Sequence, residues 1–104
     1  MYRHIYRIVM KVPLGERPGE IHWKEEGGSV SGFLNIMGFK NAFRGSLLPD
    51  GIFEIEGSIK TLMRNIPFTA KGRIEGRFLT MALSEPRHIY TLKGVEITEN
   101  EKIL

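Results

Sequence analysis

Arg-His-Ile-Tyr occurs at residues 3–6 and again at 87–90, so two of the chain's 3 histidines belong to matching His-Tyr pairs. If the copies met, His4 and His88 could share one acid-base or metal site with the third histidine, His22. The surrounding residues argue against this. No close His/Cys/Asp/Glu spacing marks a metal site, and with no cysteine neither thiol catalysis nor a Cys-type zinc site is available. Asp50, the single aspartate, falls in a Pro-Asp-Gly turn, and most glutamates fall in turns or at outward positions, so no pair of buried carboxylates is expected. Ser29, Ser31, Ser46 and Ser58 all point outward by alternation, which removes most candidates for a Ser-His-acid triad. No catalytic residue, metal or cofactor is therefore predicted, and an enzyme that works by shaping a cavity is the remaining catalytic reading.

The elements that would position these residues read as strands. Apolar residues recur with period two between short turn signals, and no window carries a 3.6-residue stripe. Eight strands are predicted, at about 2–13, 20–25, 29–36, 42–48, 52–62, 66–74, 77–84 and 88–97, followed by a polar tail at 98–104. At 104 residues and 41% hydrophobic, the chain fits one domain with a modest core.

An apolar-x-Gly-x-apolar unit repeats as VSGFL (30–34), FRGSL (43–47), IEGSI (55–59) and AKGRI (70–74), with LKGVE (92–96) a weaker copy. Each glycine lies on the apolar face, where it lets a strand bend or makes room for a bulky neighbour. Pairing across each turn keeps the apolar phase, as it must, since a one-residue slip would exchange the faces. A Pro49-Asp50-Gly51 loop sets Leu47 opposite Phe53 and Gly45 opposite Ile55. A Glu75-Gly76 turn sets Gly72 opposite Leu79 and Ala70 opposite Met81, and Glu26-Gly27 aligns Trp23 with Val30. Outside, Arg44 faces Glu56, and Glu56 faces Arg73. The expected fold is an all-β, eight-stranded antiparallel up-and-down meander closed into a barrel, with a two-sheet sandwich as the rival. In that order strands one and eight are antiparallel neighbours, so the two RHIY copies lie at opposite ends.

The loops divide unevenly between those ends. One end has short turns; the other has LGERPG (14–19), the stretch around MGFKNA (37–42), LMRNI (62–66) and EPRH (85–88). This second end brings Arg17, Lys40, Arg64, Arg87 and His88 near Met37, Phe39, Met63 and Tyr90. A small apolar or anionic amphipathic ligand suits it, with the head group at Lys40, Arg64 and Arg87 and the tail against Met10, Ile36, Phe68, Leu83 and Tyr90. The alternative is an interior filled by Trp23, Tyr6, Phe43, Phe53 and Phe68. A second candidate surface is the outer seam, where Ile5, Val9, Val95 and Ile97 form an apolar patch suited to a homodimer or protein partner.

At this point the strand pattern resembles the small calycins, the lipocalin-like and fatty-acid-binding barrels. The SGFL, RGSL and EGSI strands with the PDG turn are also similar to small bacterial all-β proteins of unknown function. The resemblance implies a hydrophobic-ligand barrel. It carries over no functional residue, because the first strand has no Gly-x-Trp signature and no helical lid separates the first two strands. A net charge of +3 is a weak pointer to anions. Nucleic acid is a poor fit, since Phe33 and Phe78 are the only outward aromatics beside basic residues and Glu54 and Glu56 lie between them. The N-terminus alternates charged and apolar residues, so neither a signal peptide nor a membrane span is expected and the cytoplasm is the predicted location.

Overall fold

The computed structural model describes residues 2–36, 38–60 and 62–97, and the side chain of each except Tyr2. Its strands are β1 (Tyr2–Val12), β2 (Gly15–Glu26), β3 (Ser29–Ile36), β4 (Phe39–Leu47), β5 (Ile52–Lys60), β6 (Asn65–Glu75), β7 (Phe78–Ser84) and β8 (Ile89–Ile97). Each pairs antiparallel with the next. β8 returns to β1 in a register running from Ile5–Ile97 to Met10–Leu92, which closes an all-β up-and-down barrel. Among the described residues no helix is long and apolar enough to cross a membrane.

Alternation aims one apolar set inward, where it forms a single cluster. Met10, Ile36, Phe68 and Leu83 are buried in it with Trp23, Phe43 and Phe53, and Tyr90 packs half-buried against it. These residues therefore fill the interior by packing on one another. Trp23 is the hub, meeting the Phe53 ring edge-on at 5.0 Å and the Phe43 ring at 5.7 Å. The inward glycines make this possible. A Cβ on Gly72 would stand 2.7 Å from Phe53 Cζ and 2.6 Å from Met81 Cβ, closer than real atoms approach.

Turn chemistry moves several predicted pairings by two residues while keeping their phase. Gly27 and Gly28 both have positive φ, 58° and 83°, as the central pair of a two-residue hairpin turn requires. Trp23 thus pairs with Gly32, and Glu25 takes Val30. Likewise Gly76-Arg77 forms the β6–β7 turn, giving Gly72–Met81 and Ala70–Leu83. The Leu47–Phe53 and Gly45–Ile55 pairs stand as predicted. On the outer face Arg44 reaches Glu56 at 3.5 Å, but Arg73 pairs with Ile52, and it is Lys71 that reaches a β5 carboxylate, Glu54, at 3.1 Å.

The stretch 14–19 is mostly strand instead of loop. Val12 pairs with Gly15 across Pro13-Leu14, and β2 gains β3 as a second neighbour only from Gly19 onward. Pro18 is therefore on an edge, where its missing N–H breaks no ladder bond. Since β1 leaves β8 after Met10, residues 11–18 project as a two-stranded hairpin. Arg17 lies within it.

Candidate ligand-binding site

The most distinctive local feature begins with a polar residue on an apolar face. Phe39, Asn41, Phe43, Gly45 and Leu47 share the inward phase of β4, and Asn41 is fully buried. β4–β5 pairing stops at Phe43–Gly57, although the strands continue to Phe39 and Lys60. Beyond that pair the Asn41 amide substitutes for the ladder. Its Nδ2 donates to the Leu34 carbonyl at 3.0 Å and the Phe39 carbonyl at 3.2 Å, while Oδ1 accepts the Lys60 N–H at 2.7 Å. An amide can do this because it carries donors and an acceptor together.

Outside the separation lies a groove of about 690 Å³ whose walls include Lys40, Ala42, Phe43, Gly57, Ser58 and Lys60. At one end it reaches Pro67, Glu85 and Pro86. Those three also line a depression of about 120 Å³ with Arg64, Asn65, Ile66 and Arg87. Groove and depression thus form one trough, with an apolar floor, Arg64 and Arg87 at one end and Lys40 on the wall. Lys40 Nζ also stands 5.0 Å over the Phe33 ring, which stacks on His22 at 4.3 Å.

Of the cations predicted together from their loops, Arg64 and Arg87 line the same depression, while Lys40 lines the adjoining groove and holds its Nζ over Phe33. His88 is exposed, with its ring 5.8 Å from that of Tyr90. Tyr90 points inward, and its phenol is pushed up from its ordinary pKa by burial and then by Glu85. Phe39 is half-buried at the start of β4 and Met63 is exposed; neither is among the residues lining the trough. Met37 lies outside the described residues.

The opposite end holds a polar cluster that the sequence reading missed. His4 Nδ1 bonds Glu96, His4 Nε2 lies 4.0 Å from Glu25, and Trp23 Nε1 donates to Glu25 at 2.9 Å. The signal was present in the alternation, because Glu25 continues the inward phase of Ile21 and Trp23, and Glu96 that of Leu92 and Gly94. The two carboxylates approach opposite ring nitrogens, so the cluster ties β2 and β8 to β1 across the seam without converging on one point. Among the described residues no group of three or more His, Asp or Glu is placed to hold a metal.

Tyr6 lies beside this cluster. Its phenol is pushed well above its ordinary value of 10.0, by burial first and then by Glu96 and Glu25. Below that value folded and unfolded chains both hold the proton; above it the unfolded chain releases it first, so folding stability must fall as pH rises. Urea midpoints taken between about pH 8 and pH 11 are expected to show this decline, and Tyr6→Phe to reduce it. An unchanged slope in that variant would assign the decline elsewhere.

The unpaired continuation of β4 and β5, the buried amide that bridges it and the basic trough outside it are thus what the fold offers a ligand. No family model, curated protein or solved structure matches the chain.

Proposed function

We propose that the protein is a calycin-like, non-catalytic binding protein for a small anionic amphiphile. Its head group would sit at Arg64 and Arg87, and its tail along the outer groove past Lys40. The observation that supports this most is the shared lining of groove and depression at Pro67, Glu85 and Pro86. Two guanidinium groups match a carboxylate or phosphate, which each can grip through paired N–H donors. The packed interior favours a tail held outside the barrel, and Ala42 and Ser58 keep the groove walls low. A cysteine-free sequence fits a reducing compartment, so the cytoplasm belongs to the same proposal.

Titration with decyl phosphate below its micelle concentration tests the reading, with decanol as the uncharged control. Binding is expected for the phosphate, weakened by at least about tenfold in Arg64→Glu with Arg87→Glu, since two charge-assisted contacts become repulsive. Ala42→Trp is expected to block it by filling the groove. Affinity unchanged in both variants would refute the site.

A second reading, docking of a protein or another copy of the chain on the outer seam, is favoured by the exposed Val9 and Val95. Ile5 and Ile97 pair with each other on the same face but are buried, so they add less to such a surface than their outward phase predicts.

A further inference from the structure

Large apolar side chains stand almost fully exposed at the long-loop end. Leu14 at the tip of the projecting hairpin is 92% exposed, and Leu62 and Met63 in the β5–β6 link are 93% and 91% exposed. Side chains this exposed bury almost none of their apolar area against the barrel. The two tips also stand far apart around the ring, because β1/β2 and β5/β6 lie on opposite sides of an eight-strand closure. A protein partner would have to span the barrel end to meet both. A bilayer meets both without any specific shape.

Charge points the same way. At this end Lys11, Arg17, Lys40, Lys60, Arg64 and Arg87 stand against Glu16 and Glu85. At the other end Glu25, Glu26, Asp50, Glu75 and Glu96 stand against Arg3, Lys24, Arg73 and Arg77. The long-loop end is therefore the more positive of the two, and it carries the most exposed leucines, Leu14 and Leu62. Apolar tips that enter the interfacial region, ringed by cations that face acidic head groups, are the two contributions that hold proteins on anionic membranes.

We propose that the long-loop end docks on an anionic lipid bilayer, inserting Leu14, Leu62 and Met63 while the surrounding Lys and Arg side chains lie against the head groups. The docked barrel would stand with its axis toward the membrane. Docking does not require an occupied trough, but it would bring the Arg64–Arg87 depression close to the lipid surface, where an anionic amphiphile is abundant.

Flotation of the full chain with vesicles of phosphatidylcholine alone, or with about one third phosphatidylglycerol, tests this. Partition into the anionic vesicles is expected to be at least about tenfold stronger and to fall with added salt. Leu14→Glu, and separately Leu62→Glu with Met63→Glu, are each expected to weaken it by about tenfold or more while leaving the Trp23 fluorescence of the folded barrel unchanged. These positions are exposed, so the variants should fold. Equal partition into both vesicles, or flotation of the variants like the parent chain, would overturn the proposal. Decyl phosphate binding measured on the parent chain separates the two ideas: if it persists while the parent chain does not float with the anionic vesicles, bilayer docking alone has failed.

Discussion

Replacing Trp23 with alanine is expected to remove about 4 kcal/mol of folding stability, the upper range for a truncated core aromatic. The indole is 1% exposed and has Phe53 edge-on on one side and Phe43 tilted on another. Its removal leaves a cavity among ring systems that cannot collapse into it, because the strands around it are fixed by closure on both sides. The same change withdraws the N–H donor from Glu25, leaving a partly buried carboxylate with His4 still 4.0 Å away. Domains of this size have roughly 5–15 kcal/mol in total, so the variant should be marginal at room temperature. Urea denaturation followed by far-ultraviolet circular dichroism measures the loss. Trp23→Phe separates the two contributions, since it keeps most of the ring volume and removes the donor. A loss below about 1.5 kcal/mol for the alanine variant would mean that the core does not centre on this ring.

Asn41→Leu is the second large effect, at about 3 kcal/mol, even though leucine has a similar size and the site is completely buried. The asparagine side chain serves two carbonyls and one N–H, and leucine would serve none of them, leaving the fully buried bond to Leu34 and the part-buried bonds to Phe39 and Lys60 unmade. The local readout is specific. Hydrogen exchange at the Lys60 amide, protected by Oδ1 at 2.7 Å, should accelerate more than exchange at the paired core of β5. Because Asn41 braces the separated ends of β4 and β5, decyl phosphate should also bind more weakly to whatever fraction remains folded. If Lys60 exchange stays slow, the backbones close on their own and Asn41 is not the strut.

The architecture was legible because it is written in local signals. Alternation places Tyr6, Ile8 and Met10, or Leu79, Met81 and Leu83, on one face whatever their neighbours do, and the phase survives each turn. That Arg64, Arg87 and Lys40 lie toward one end of the barrel was legible for a related reason: in a meander, alternate loops must gather at one end. Glu25 and Glu96 obeyed the same alternation but were overlooked, because a carboxylate in the inward phase runs against the expectation that charge stays outside. The structure accommodates both beside His4 and the Trp23 N–H.

What the chain's residue pattern decided alone was the number of strands, their faces and their up-and-down order; the β8–β1 pairing decided closure into a barrel over the rival sandwich. Tertiary structure decided where neighbouring strands stop pairing, which two residues of a turn are central, and whether the interior is packed or open. The physical reason is that a side chain's face depends on its own position along the strand. The reach of each ladder depends on the stagger of all eight strands around the ring. The trough outside β4 and β5 exists because the ladder ends at Phe43–Gly57 while the chain runs on, and no local stretch of sequence carries that information.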